Sequence, residues 1–171
     1  MAQPEPWLRG KIDGLDPARA HLLYTFEQAR EELEAFCSAL TIEELWALPH
    51  PRVASVGFQL RHIAGSVDRL TTYLRGEQLT GEQLVALKAE QEPSGTFADL
   101  MTSVEAAFAR TEAVVRSLTL DSLTDSRFVG RRQLPTSVGG LIIHISEHTQ
   151  RHLGQAVLTA KLVRTFPSPA S

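Results

Sequence analysis

The chain has 171 residues, of which 43% are apolar and 22% charged, with a formal charge of −3 and a pI of about 6.1. That is enough for one domain with a sizeable core, in a composition ordinary for a soluble globular protein, and with no Lys/Arg cluster beyond Arg131-Arg132 it excludes a nucleic-acid-binding stripe. No run of about 18 apolar residues can span a membrane, MAQPEPWLRGK lacks the apolar core of a signal peptide, and the single cysteine can form no disulfide within the chain, so a reducing, cytoplasmic location is expected.

Residues 1–14, rich in Pro and Gly, are expected to form an irregular arm anchored by Trp7 and Leu8. Asp16-Pro17 reads as an N-cap followed by a first helical position, and the apolar period that follows predicts a helix to Leu40. Cys37 falls in that amphipathic stretch and is expected to be a packed thiol. His21 and Tyr24 are expected to pack in the core. Thr41 with Glu44 is a capping-box pattern for a short helix to Leu48, stopped by Pro49-His50-Pro51. His50 is expected on a loop surface, with a substrate contact at the site mouth as the second reading.

Ser55 caps a second long helix, SVGFQLRHIAGSVDRLTTYLRG, ending at Gly76. His62 lies in its apolar stripe, an unfavourable place for a charged or unsatisfied imidazole. Arg61 points toward solvent or a neighbouring helix, and Asp68, off the face of His62, is expected in a surface ion pair. Residues 77–95 read as a connection with a short helix over 81–91, broken by Pro93-Ser94-Gly95. Thr96 with Asp99 opens a third long helix to about Leu118. Residues 120–124 suit a helical turn, and 127–134 an extended segment or small hairpin. Thr136 or Ser137 caps a fourth long helix to about Arg164, with Leu141, Ile145, His148, His152, Gln155 and Ala156 near one face. A frayed tail is expected over 165–171. Four long amphipathic helices with long connections predict an all-α four-helix bundle in one domain, 1–171.

Three of the six histidines, His144, His148 and His152, recur every fourth residue of the last helix. At that spacing neighbours are about 40° apart around the axis and about 6 Å along it, so a pair can close on one metal ion. A third ligand should come from another helix and lie on a buried stripe, and His62 meets both conditions. Three neutral imidazoles with an open position suit catalytic Zn²⁺, and also Ni²⁺ or Fe²⁺. The alternative is a set of histidines hydrogen-bonded to protein and free of metal. His144 to His148 also matches the protease motif H-x-x-E-H, but that chemistry needs a downstream acidic ligand. The 23 residues after His148 hold no Asp or Glu, so Glu147 is read as a surface or supporting group.

The stretches SVGFQLRHIAGSVDRLTTYLRG and HISEHTQRHLGQ, in this order and separation, resemble the two motif helices of the DinB/YfiT-like proteins. The resemblance implies a four-helix bundle of that type with long inter-helix connections, holding a divalent metal, often nickel or zinc, on three histidines. It assigns the ligands to His62, His148 and His152, with His144 and Gln155 as supporting residues. Leu153 departs from the family, which commonly has Arg or another polar residue there. The resemblance further implies a metal-dependent hydrolase, or a thiol S-transferase using bacillithiol or mycothiol, acting on a small-molecule substrate. A non-catalytic, stress-linked metal-binding bundle is the alternative. A homodimer is expected.

Overall fold

The computed structural model describes residues 3–165. The start of the arm and, apart from Thr165, the expected frayed tail lie outside the described residues. The helices begin where a side-chain oxygen can satisfy free backbone N–H groups. Asp16 accepts from the N–H groups of Ala18 and Arg19, and Pro17 takes the first position of α1 (Pro17–Cys37). Thr41 and Glu44 close a reciprocal capping box on the short α2 (Ile42–Trp46). Ser55 accepts from the N–H of Phe58 to start α3 (Val56–Leu74). The capping box recurs as Thr80 with Gln83 on α4 (Gly81–Lys88), and as Thr96 with Asp99 on α5 (Phe97–Ser117).

The stretch after α5 makes a 3₁₀ turn at Asp121–Thr124 and then an antiparallel hairpin. Its strands, β1 (Ser126–Val129) and β2 (Leu134–Ser137), pair Ser126 with Ser137 and Val129 with Leu134. Gly130, at φ 70°, opens the turn in the left-handed region that glycine tolerates best. β2 runs directly into α6 (Val138–Thr165). Ser137 rather than Thr136 is the cap, its Oγ accepting from the N–H of Gly140 at 3.1 Å.

Three helices stop short of their expected ends. α1 ends at Cys37 and not Leu40, because the chain must turn to bring Thr41 into its capping box. α2 ends at Trp46 and not Leu48, since the indole is anchored: its N–H donates to the carbonyl of Gly95 at 3.1 Å, and its ring lies over Gly57, where a Cβ would come within 2.7 Å. α4 ends at Lys88 and not Gln91, which takes Glu90 out of the helix and lets its side chain turn inward.

The four long helices α1, α3, α5 and α6 form an all-α bundle. α6 packs extensively on α1 and on α3, and α3 packs extensively on α5. Around the bundle the order is therefore α1, α6, α3, α5, which makes α6 a direct neighbour of α3. The core is filled by Phe26 stacked on Phe108, centroids 4.0 Å apart, with Leu60, Ile63, Ile145 and Leu153 fully buried between α3 and α6. Each such side chain contributes about 1.5–3 kcal/mol of burial. Cys37 is buried here as well, and burial pushes its thiol up to about 12, so it is inert packing. The hydroxyl of Thr149 is buried with no hydrogen-bond partner among the described residues. No described helix is long and apolar enough to cross a membrane.

Candidate metal centre

The interface of α3 with α6 decides where the histidines go. On α6, Ile145, Thr149, Leu153 and Ala156 face the core, and His144, His148 and His152 form the adjoining, partly buried stripe. On α3, Gln59, Leu60 and Ile63 are buried and His62 sits at the edge of that face. Packing the two helices side by side brings His62 against His148 and His152. The ring of His62 lies 5.2 Å from that of His148 and 4.3 Å from that of His152. Nε2 of His62 is 3.1 Å from Nε2 of His148, and one nitrogen from each of the three rings lies within 4.8 Å of the others. A tetrahedral ion at about 2.0–2.1 Å from each nitrogen would hold neighbouring nitrogens roughly 3.3 Å apart, so the donor set is of the right size and kind for a divalent cation.

The outer nitrogens are held by protein. Nδ1 of His62 lies 2.6 Å from Oε2 of Glu90, and Nδ1 of His152 lies 2.7 Å from Oε1 of Gln59. A carboxylate and an amide oxygen can only accept, so each ring carries its proton on Nδ1 and turns the Nε2 lone pair toward the common centre. For His148 and His152, burial first and then repulsion by His62 lower the pKa to about 4. Both are therefore neutral at physiological pH, the state in which imidazole is a ligand.

Glu90 is 4% exposed, and its other oxygen accepts from Nη1 of Arg69 at 2.6 Å. Burial alone would raise its pKa, but the hydrogen bonds of His62 and Arg69 outweigh it and hold the carboxyl below its usual range. Space for this contact comes from Gly65, where a Cβ would stand 2.5 Å from Oε1 of Glu90 and 2.8 Å from Nη1 of Arg69. The connection that carries Glu90 is fastened by Arg61. Its guanidinium donates to the carbonyls of Ala89, Glu92 and Ser94 and to the Ser94 hydroxyl, and lies over the ring of Trp46.

The remaining expected residues are more dispersed. His144 is about half exposed, its Nδ1 2.7 Å from Oε1 of the equally exposed Glu147, and its ring 5.5 Å from that of His148. Gln155 is exposed, despite its expected place near the buried face. Tyr24 and His21 are not core residues: Tyr24 is half-buried and donates its hydroxyl to the carbonyl of Gly10 at 2.5 Å, and His21 is exposed beside the same arm. His50 is exposed, and Asp68 makes the surface ion pair, with Arg110 at 2.9 Å. Glu90, Arg69, Gly65 and Gln59 go unnoticed in the sequence. Gln59 alone left a signal, as a polar residue in an apolar stripe one turn from His62.

A family model described as the DinB superfamily matches residues 25–156. No curated protein matches the chain. Among solved structures, a conserved protein of Enterococcus faecalis is 19% identical with a TM-score of 0.73, over 88% of this chain and 99% of that one. YfiT from Bacillus subtilis, described as a probable metal-dependent hydrolase with an unusual four-helix bundle topology, is 13% identical with a TM-score of 0.65, over 91% of this chain and 92% of its own. At these identities the likeness is one of fold.

Proposed function

The chain belongs to the DinB superfamily, and from that membership and its histidine cluster we propose that it is a metal-dependent enzyme acting on a small molecule. His62, His148 and His152 hold a divalent cation such as Zn²⁺ or Ni²⁺ through Nε2. The observation that carries this reading is the pair of outer contacts, Glu90 to His62 and Gln59 to His152, which aim two Nε2 lone pairs at one point. When bound, the ion supplies Lewis-acid activation of water or a thiol.

The chain's own residues favour a thiol over water as the activated group. Hydrolysis calls for a carboxylate or imidazole free to pass a proton to the leaving group. Glu90 is committed to both His62 and Arg69, which leaves the half-exposed His144, backed by Glu147 at the rim, to pass a proton. A thiol that ligates loses its proton on binding and needs no such partner. We therefore favour a thiol S-transferase that joins a low-molecular-weight thiol, such as bacillithiol or mycothiol, to an electrophile. His144, its ring beside that of His148, supports the ligand from the rim, and Gln155 stands three residues beyond His152. Hydrolysis is the second reading, supported by the likeness to YfiT.

Tag-free protein should carry about one metal per chain, and the loaded protein should conjugate one of bacillithiol, mycothiol or glutathione to a test electrophile such as monochlorobimane. Less than about 0.2 metal per chain after incubation with Zn²⁺ or Ni²⁺ would remove the metal reading. Turnover of esters or amides without thiol conjugation would select hydrolysis.

A further inference from the structure

Beside the histidine cluster lies a cleft of two lobes, of about 330 Å³ and 350 Å³. Both are lined by Arg52, Val53, Ala54 and Phe58; the first adds Leu48 and Gln91, the second Gln59, Gln155 and Leu158. Two of these residues, Phe58 and Gln59, touch the histidine cluster. The ring of Phe58 stacks on that of His62, centroids 5.4 Å apart and 13° from parallel. Gln59 is the partner of His152, Gln91 follows Glu90, and Gln155 lies three residues beyond His152. A molecule lying against Phe58 is therefore one ring away from His62.

The lining specifies the kind of molecule. Leu48, Val53, Phe58 and Leu158 give it apolar walls, with Leu48 and Leu158 56% and 58% exposed. Arg52 is the one charged residue lining either lobe, and it is common to both. Its backbone N–H donates to Nδ1 of His50 at 3.2 Å, which fixes the loop, while its guanidinium makes no ion pair or hydrogen bond among the described residues. A surface arginine is ordinarily just solvated. One shared by two lobes, with no carboxylate lining either, could pair with an anionic group on a bound molecule.

We propose that this cleft is the acceptor-substrate site, and that its ligand is a molecule with an apolar body and a carboxylate, the body against Phe58 and the carboxylate on Arg52. This deepens the reading proposed above, on which it rests for the chemistry but not for the binding. The test is therefore made on full-length protein stripped of metal with a chelator, so that no carboxylate can bind through an ion. The probes are 3-phenylpropionate, the uncharged 3-phenylpropionamide of the same shape, and inorganic phosphate, an anion without a body. Binding is followed by NMR titration of the side-chain amides of Gln59, Gln91 and Gln155.

The carboxylate should bind at least about tenfold more tightly than the amide, the size of one charge-assisted contact. Arg52→Gln, at an exposed position, should keep the thermal midpoint and erase that difference, and Phe58→Leu should weaken both organic probes. Equal affinity for acid and amide, a difference that survives Arg52→Gln, phosphate binding as tight as that of 3-phenylpropionate, or no binding by any probe would each overturn the proposal. Because no metal is present, failure of the metal reading leaves these outcomes readable, and their failure leaves the metal reading intact.

Discussion

Oε2 of Glu90 lies 2.6 Å from Nδ1 of His62, although Glu90 is in the connection after α4, 28 positions further along the chain. The contact exists because Gly65, one turn beyond His62, has no side chain, and because Arg69, a further turn on, takes the second carboxylate oxygen. Glycine inside a helix costs roughly 1 kcal/mol relative to alanine. Here that cost opens the space through which a carboxylate from a connecting segment reaches the imidazole.

Removing this support should be felt by the ion. Glu90→Ala is expected to lower Zn²⁺ affinity by about 10–100-fold, measured by competition with a chromogenic chelator. Gly65→Ala should act in the same direction without altering any ligand, because its methyl group collides with Oε1. Unchanged affinity in both variants would show that the carboxylate does not position His62.

The three ring positions should differ in weight. His152→Ala and His62→Ala are expected to abolish stoichiometric metal binding. His144→Ala, with its ring turned to Glu147, should weaken binding only modestly, and its metal content separates a supporting residue from a ligand.

Acid should destabilise the metal-free protein in a defined window. His148 and His152 titrate near 4 when folded and near 6.5 when unfolded. Between these values the unfolded chain binds protons that the native chain does not, so stability is fully present above about pH 6.5 and falls as the pH drops toward 4. Urea midpoints across that range should decline, and a His148→Gln, His152→Gln double variant should show a flatter profile.

Thr149 offers a stabilising change. Its hydroxyl is buried without a partner among the described residues, and valine has nearly the same shape with no polar group to desolvate. Thr149→Val should raise stability by about 1 kcal/mol, or about 2–4 °C in Tm for a chain of this size.

How much of this can be read without coordinates follows from where each residue sits. Helical period and capping residues locate all four long helices; the spacing nominates His62 with a pair from His144, His148 and His152, and only the family resemblance selects His148 and His152. Neighbourhood of α3 and α6 is not contained in either helix alone; it follows from the packing order around the bundle. Glu90 is illegible for a different reason. Its segment has no periodicity, and a helix continued to Gln91 would give no cause to turn a carboxylate into the core. Only the early end of α4 and the grip of Arg61 on the carbonyl groups of Ala89, Glu92 and Ser94 place it there. Tyr24 is misplaced because an apolar ring with a hydroxyl serves a core and an arm equally well, and the arm supplies the acceptor, Gly10.

His62 and His148 stand 86 positions apart in the chain, yet their rings meet across two neighbouring helices. A cation gripped by both would act as a reversible staple, closing a loop as a disulfide does in proteins that can form one. With Cys37 alone and buried, this chain has no covalent means of fastening its last helix to its second long one. Endurance against heat and proteases would then rise with the occupancy of the site, which makes the protein's lifetime a function of the free metal around it.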